Sequence, residues 1–420
     1  MTTATRAATP KPGHHPKPPG HPPTRTLDAL NFFLADVRDG LGPYLAIYLL
    51  VVRGPSHGWN EATVGMVLTI AGIVGLLSQT PAGGLIDRSR NKPRIVIVAA
   101  LLVTLSSLSL PIVSGFTMVT ITQSIAAAAG AIFAPAISGI TLGLVGPKLF
   151  ARRVGRNEAF NHAGNAVSAA IAGVLAWSFG PVVVFWLMAA LTVASIVVTL
   201  RLDNRDIDNA VARGLDCEPD DDCEEPSGWK TLIENRPLMI FAAAAFTFHL
   251  ANAAMLTSVS QLLGRTVGTD KATSLTAACI VAAQLVMVPV AVVVGRNTDR
   301  WGTKPMFLVA FAVLAVRGAL YTLSSDPWWL VGVQALDGIG AGIFGALFPV
   351  IVADLTTGSG RFNVSQGVVS SVFGLGAALS ASLAGAIIVR AGYTANFLTL
   401  AAIAVAGFVL YLTAMRETHK

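Results

Sequence analysis

Long apolar stretches alternate with short polar breaks along almost the whole chain after residue 28. A helix needs about 20 mostly apolar residues to cross the hydrocarbon core of a bilayer. Twelve stretches meet this requirement, and the pattern therefore predicts an all-α membrane protein. The predicted spans, numbered 1 to 12 in chain order, are 28–52, 61–84, 94–113, 117–145, 158–178, 181–201, 237–263, 273–295, 305–323, 328–354, 363–389 and 393–415.

The breaks between the spans indicate how the spans are organised. Most are short and carry turn residues, such as Ser114-Gly115 and Ala391-Gly392. Short loops force neighbouring helices to run antiparallel. The longest break, 202–236, contains a run of acidic residues and divides the spans into six plus six. We expect a cytoplasmic tail at 1–27, bundles at 28–201 and 237–415, an acidic linker at 202–236 and a short tail at 416–420.

Composition supports a bilayer environment, because 53% of the 420 residues are hydrophobic and only 12% are charged. A soluble domain carries about a quarter charged residues. The first 27 residues are rich in proline and histidine, which predicts a disordered tail and no secretory signal peptide. Cys217 and Cys223 flank the acidic run, but their spacing matches no standard zinc motif. We expect a solvated linker there, with no metal and no cofactor.

The net charge of +6 is distributed unevenly among the loops. Bases are concentrated in the loops after the even-numbered spans, at Arg88, Arg90, Lys92, Arg94, Lys148, Arg152, Arg153, Arg156, Arg296, Arg300 and Lys304. Cytoplasmic loops carry such an excess in membrane proteins. The distribution predicts a multi-pass protein of the plasma (inner) membrane with both termini cytoplasmic. It explains the basic excess without a nucleic-acid partner, and we expect a monomer.

The two halves repeat one another at a nearly constant offset. Asp87-Arg88 with Lys92 matches Asp299-Arg300 with Lys304 at an offset of 212 residues, and Ala172-Gly173 matches Ala384-Gly385 at the same offset. The segments that carry the first match read GGLIDRSRNK at 83–92 and GRNTDRWGTK at 295–304. They resemble the signature G-x-L-x-D-R-x-G-R-K that the major facilitator superfamily carries between its second and third helices and repeats between the eighth and ninth.

This resemblance implies the superfamily fold, with twelve transmembrane helices in two pseudo-symmetric six-helix bundles. It implies a cytoplasmic gate motif at Gly83, Asp87, Arg88, Lys92, Asp299, Arg300 and Lys304. It further implies that Asp87 meets the N-terminus of span 11 and Asp299 that of span 5. A carboxylate is stabilised at a helix N-terminus, so both would latch the halves together. The alternative is that each aspartate only tightens its own loop.

The charged residues inside span 1 include Asp36, Arg38 and Asp39. Charges inside membrane helices are costly and usually face a cavity or a partner. The resemblance implies that spans 1, 4, 7 and 10 line a central cavity. One aspartate is therefore expected to be a protonation site or a cation contact, with Arg38 as its counter-charge. The alternative is an ion pair that serves packing alone.

Span 5 carries a polar stripe formed by Glu158, Asn161, His162 and Asn165. Glu158 and His162 are one helical turn apart, and a buried Glu–His pair can have coupled pKa values that suit proton transfer. The alternative is that Glu158 only begins the helix while the other three bind neighbouring helices through hydrogen bonds.

In the second half, polar candidates occur in spans 7, 9, 10 and 11. They are His249, Asn252, Arg317, Gln334, Asp337 and Gln366. Asp337 lies among glycines near mid-span, and we expect it to be protonated or to contact a cationic ligand or Arg317. After Asp36 it is the second candidate for coupling. Arg317 could instead be structural.

We therefore predict a secondary transporter that works by alternating access, with proton-coupled export of a small solute as the leading function. Uptake of a small polar metabolite and a non-transporting membrane sensor are the alternatives. No P-loop, G-x-S-x-G or HExxH motif is present, so neither an enzyme nor an ATP-driven pump is predicted. Gln123 stands where drug–proton antiporters of the superfamily often carry arginine, which favours a hydrophilic solute at least as much as a drug.

Overall fold

The structure is a computed structural model that describes residues 24–39, 45, 48–53, 58–59, 61–113, 115–179, 182–215, 234–267 and 269–418. These residues form helices and no strand, which confirms the predicted fold class. The helices of the first half are Thr24–Asp39, a π-helix Tyr48–Arg53, Glu61–Arg88, Lys92–Leu108, Phe116–Gly130, Phe133–Phe179 and Val183–Thr199. Those of the second half are Arg236–Val267, Thr269–Trp301, Thr303–Leu320, Pro327–Gln334, Asp337–Thr356 and Phe362–Ala414.

Two of these helices contain two predicted spans each. Phe133–Phe179 bends at Gly146 (φ 70°), and Phe362–Ala414 bends at Gly392 (φ 83°). Glycine reaches such positive φ values without steric cost. Span 5 therefore starts at Pro147 rather than at 158, because proline is favoured at the first position of a helix. In the described residues, seven helices are long and apolar enough to cross a membrane, and Val183–Thr199 is a shorter apolar helix.

Each half has its own apolar core. In the first half the core includes Leu30, Val103 and Phe133, all almost fully buried. In the second half it is rich in aromatic rings, with Phe307 and Phe311 in edge-to-face contact at 5.5 Å. Large apolar side chains cover the outside as well, as expected for surfaces that face lipid.

Residues 202–215 differ from the loose linker that the sequence predicts. They form short 3₁₀ helices at Asn204–Asp206 and Val211–Arg213, with Ile207, Ala212 and Leu215 buried. This segment packs because it carries apolar residues, whereas the acidic run and both of its cysteines lie outside the described residues. We call the end of the bundle at which residues 202–215 lie the linker side, and the opposite end the far side.

Candidate functional site

Asp87 joins the two halves on the linker side. Its Oδ1 accepts hydrogen bonds from the backbone N–H and the side-chain Nδ2 of Asn363, at 3.2 and 2.8 Å. Its Oδ2 accepts one from the backbone N–H of Val364 at 2.8 Å. Since Phe362 is the first residue of span 11, the carboxylate lies at the positive end of that helix. The contact that the resemblance implied is present, and its role as a latch stays a prediction.

Close helix contacts accompany this bond. A Cβ on Gly83 would lie 2.1 Å from the backbone oxygen of Asn363, and one on Gly155 would lie 2.4 Å from that of Ala291. Spans 2 and 11, and spans 5 and 8, therefore touch through their backbones on the linker side. Small residues permit such an approach in membrane helix pairs.

Lys92 connects the first motif to the segment after span 6. Its Nζ donates to the backbone oxygen of Ser89 at 3.0 Å and to Oδ1 of Asn209 at 2.8 Å. Burial lowers the pKa of Lys92 to about 8, and the carboxylate of Asp87 opposes this shift. The neighbouring Arg88 is exposed.

The second copy of the motif makes different contacts. Asp299 and Arg300 are exposed, and spans 5 and 8 touch through Gly155 and Gly295. The carboxylate of Glu417 accepts hydrogen bonds from the backbone N–H groups of Thr303 and Lys304, at 2.9 and 3.1 Å. The Nζ of Lys304 donates to the backbone oxygen of Leu412. The predicted tail 416–420 thus binds, through Glu417, to the start of span 9 in its own half.

A cavity of about 580 Å³ lies between the halves. Near the linker-side contacts it begins at Gln79 and Gln366, and it extends to Leu45 and Leu68 in the direction of the far side. Three predicted residues line it, namely Arg38, Glu158 and Gln366. Residues that the prediction missed include Gln79, Ser138, Phe344, Phe348 and Phe373. Aromatic residues in an apolar span give no sequence signal that separates cavity from core.

Arg38 and Glu158 face each other in this cavity. Their Nη1 and Oε1 atoms are 3.9 Å apart, and the side chains are 30% and 17% exposed. Asn161 donates to Oε2 of Glu158 at 3.4 Å. Asp36 and Asn165 are partly buried and are not among the described lining residues, while the side chain of Asp39 lies outside the described residues.

His162 bridges the halves between spans 5 and 8. Its Nδ1 lies 2.8 Å from Oε1 of Gln284. Because a carbonyl oxygen can only accept, the proton of this bond resides on Nδ1. The Nε2 atom is buried and has no hydrogen-bond partner in the described part of the chain. His162 therefore contacts the opposite half and not Glu158.

Arg317 organises a second polar cluster inside the second half. Its guanidinium donates to the carboxylate of Asp337 and to Oδ1 of Asn252, and it contacts the sulfur of Met255 at 3.0 Å. Gln334 donates to Oδ2 of Asp337 at 3.2 Å. We call these residues, with Tyr321, which donates to Gln334, the Arg317 cluster. It draws Asn252 and Asp337 into the bundle, so that neither is among the described residues that line the cavity.

His249 supports the aromatic wall of the cavity. Its ring stacks on Phe373 at 4.3 Å and meets Phe344 edge-on at 4.6 Å. Its Nδ1 lies 3.1 Å from the backbone oxygen of Ala245. Span 7 contributes no described residue to the cavity lining, although the resemblance implied that it would.

The described residues thus form two packed helical bundles with a cavity between them. The family model described as Major Facilitator Superfamily matches residues 29–316 and 243–420. The chain therefore belongs to this superfamily, whose members are transporters and not enzymes.

Two relatives are described as uncharacterized MFS-type transporters, from Mycobacterium tuberculosis strains CDC 1551 / Oshkosh and ATCC 25618 / H37Rv. Each is 54% identical over 394 residues, covering 94% of this chain and 93% of the relative. The structure is similar to the MFS transporter FucP in the outward conformation, with a TM-score of 0.70 and 14% identity over 94% and 99% of the two chains. It is also similar to the human organic anion transporter MFSD10 (TETRAN), with a TM-score of 0.68 and 16% identity. This match covers 93% of this chain and 100% of that transporter.

Proposed function

We propose that this transporter works by alternating access and exports a small solute across the plasma membrane in exchange for protons. The observation that carries the proposal is the closure of the cavity on the linker side. Contacts of Asp87, Gly83 and Gly155 join the halves on the linker side, and the cavity extends away from them. This is the arrangement of an outward-facing state if the linker side is cytoplasmic. The fold of FucP, solved in an outward conformation, supports this interpretation.

Exposed bases support a cytoplasmic linker side. Arg88, Arg90, Lys148, Arg152 and Arg156 are exposed at that end of the first half. Positive residues are retained on the cytoplasmic side of membrane proteins. In a cysteine-free background, Lys148→Cys should react with a membrane-impermeant maleimide only after cells are opened. Labelling of intact cells would reverse the orientation.

The ion pair Arg317–Asp337 is the proposed coupling site. The side chains are 2% and 17% exposed, so removal of one charge leaves the other unpaired in a poorly solvated environment. Asp337 is the first residue of the helix that carries Phe344 and Phe348 to the cavity wall. Protonation of Asp337 would weaken its bond to Arg317 and free this helix to shift. Asp36, the first candidate from the sequence, becomes the second.

Transport by the purified full chain in proteoliposomes tests the proposal. Vesicles are prepared with an acidic lumen, and uptake is followed for a mixed panel of metabolites and drugs. Proton exchange predicts accumulation in the acidic lumen. Asp337→Asn should abolish the response to the gradient while solute exchange persists. Accumulation driven by an acidic exterior would establish proton-coupled uptake instead, and a chain that moves no solute would fit the membrane sensor.

A further inference from the structure

We propose that the cavity binds a zwitterionic solute of amino-acid type with an aromatic or large apolar body. Its carboxylate would contact Arg38, its ammonium group would contact Glu158, and its body would lie on Phe344, Phe348 and Phe373. This inference rests on the proposed function, since it names the class of solute that the same cavity would carry.

The first observation is that Arg38 and Glu158 pair loosely. Their closest atoms are 3.9 Å apart, beyond hydrogen-bond distance. Arg153 and Asp28, in contrast, approach to 2.6 Å with side chains only 5% and 8% exposed. Arg317 likewise donates a hydrogen bond directly to Asp337. The chain thus forms hydrogen-bonded ion pairs where the charges are enclosed by protein. At the cavity, Arg38 and Oε1 of Glu158 form no hydrogen bond with each other, while Oε2 of Glu158 accepts one from Asn161 at 3.4 Å.

The second observation is the charge of the cavity. Arg38 and Glu158 are the charged side chains among the described residues that line it. A ligand with a single charge would pair with one of them and leave the other without its counter-charge. An unpaired charge in a poorly solvated site is costly. A ligand with both charges satisfies both residues, and this selects against simple cations and anions.

The third observation is the opposite wall. Phe344 and Phe348 stack at 5.7 Å, and Phe373 meets Phe348 edge-to-face at 5.5 Å. Gly345 lies between Phe344 and Phe348 in sequence, and a Cβ on Gly345 would be 3.7 Å from Oε2 of Glu158. The charged pair and the aromatic wall are therefore adjacent across the cavity. Aromatic rings offer large contact area to an apolar body, and about 580 Å³ is the volume of a small-molecule site.

Two amides among the lining residues contribute further hydrogen-bonding groups. Gln123 and Gln366 both line the cavity, and each has a buried Nε2 atom without a hydrogen-bond partner in the described residues. Buried polar groups in proteins are almost always paired. N–H donors of this kind suit a carboxylate, which only accepts hydrogen bonds.

Four probes with one body and different charges test the inference. They are phenylalanine (both charges), its methyl ester (positive), N-acetylphenylalanine (negative) and N-acetylphenylalanine methyl ester (neutral). Binding to the detergent-solubilised full chain is measured by calorimetry near pH 6.5, and competition is measured in the transport assay. Phenylalanine should bind best, by about tenfold over each singly charged probe, as expected for one charged hydrogen-bonding pair.

Variants should change the rank order of the probes. Arg38→Gln should favour the positive ester, Glu158→Gln the negative N-acetyl compound, and the double variant the neutral probe. Arg152→Gln, at an exposed position outside the lining, is the matched control and should keep the original order. Because rank order within one variant is compared, a general loss of stability cannot imitate the result.

Each failure has a separate meaning. Four probes that bind equally, or an order that does not follow the variants, would overturn the inference. If the negatively charged N-acetylphenylalanine binds best, the cavity would be assigned to organic anions instead. Transport of another solute without competition by phenylalanine would contradict the zwitterion site alone. Binding of phenylalanine by a chain that translocates nothing would contradict the proposed function and leave the site in place.

Discussion

The two copies of the repeated motif make different contacts in the two halves. In the first copy, Asp87 is 7% exposed and binds the start of span 11 across the interface. In the second copy, Asp299 is exposed, and Glu417 binds the start of span 9 within its own half. The sequence repeat therefore preserves the scaffold, while the aspartates of its two copies differ in burial. We infer that the first copy carries more of the closure between the halves.

The charged pairs of the two halves differ in the same way. Arg317–Asp337 is enclosed in the second half and belongs to the Arg317 cluster. Arg38–Glu158 is more exposed and faces the cavity. A tight pair stabilises a bundle or responds to a proton, whereas a loose pair can exchange its partner for a ligand. The comparison predicts opposite effects on stability and on binding.

The largest effect is expected from removal of the enclosed charge. Arg317→Gln leaves Asp337 without its main partner, and loss of one member of a buried pair costs about 3–5 kcal/mol. Arg38→Gln removes a partly exposed charge and should cost no more than about 1 kcal/mol. Thermal unfolding of the detergent-solubilised chain, followed by intrinsic fluorescence, measures both.

The double variant Arg317→Gln/Asp337→Asn serves as control, because it removes both charges and should recover part of the lost stability. Equal destabilisation by Arg317→Gln and Arg38→Gln would show that the two pairs do not differ in kind.

The next effect concerns the two aspartates of the motif. Asp87→Asn removes the charge that binds two backbone N–H groups at span 11, worth about 1.5–3 kcal/mol. This corresponds to about a tenfold to hundredfold shift toward the inward-facing state. The matched variant Asp299→Asn should change this equilibrium less than twofold, since Asp299 is exposed.

Alkylation of a cysteine introduced at Ser138, which lines the cavity, measures accessibility from the far side. Asp87→Asn should slow this reaction and Asp299→Asn should not. A similar slowing by both variants would restore a symmetric pair of latches.

Much of this fold follows from the sequence, because twelve apolar stretches with turn residues between them leave few alternatives. The contact of Asp87 with the start of span 11, which the resemblance to the superfamily signature implied, is also present. What the sequence did not predict depends on apolar side chains at interfaces. Residues 202–215 were expected to be solvated, yet Ile207 and Ala212 are buried between helices. Local composition does not reveal which surface such residues will meet.

The site was predicted in part for a related reason. A charge inside a span signals that it needs a partner, and Arg38, Glu158, Arg317 and Asp337 do form ion pairs. The signal does not name the partner. Glu158 was matched with His162, its neighbour on the helix, but it pairs with Arg38 while His162 binds Gln284. Distances between spans decide these pairs, and the sequence contains no such distances.

A smaller effect is expected at the glycine contact between spans 5 and 8. A Cβ on Gly155 would overlap backbone atoms of the opposite half, so Gly155→Ala should push spans 5 and 8 apart. The closed arrangement on the linker side should lose about 1–3 kcal/mol of stability, which is typical of overpacking. Gly385→Ala is the matched control, because no atom lies within 4 Å of its Cβ position and Gly385 is not among the described lining residues. Alkylation at the Ser138 position should slow in the first variant and stay constant in the second. An unchanged alkylation rate in both variants would mean that the contact between spans 5 and 8 does not contribute to closure on the linker side.

The smallest effect is expected at Glu417, and it separates stability from gating. Glu417→Gln weakens the bonds to the backbone N–H groups of Thr303 and Lys304, and an exposed carboxylate at a helix N-terminus contributes about 0.5–1 kcal/mol. Because these bonds lie within one half, the thermal unfolding temperature should fall slightly. The rate of alkylation at the Ser138 position should stay constant. Asp87→Asn should show the reverse balance, with a large change in accessibility. If Glu417→Gln instead changed accessibility as strongly as Asp87→Asn, the terminal segment would take part in gating, and the second copy of the motif would act on the interface through Glu417.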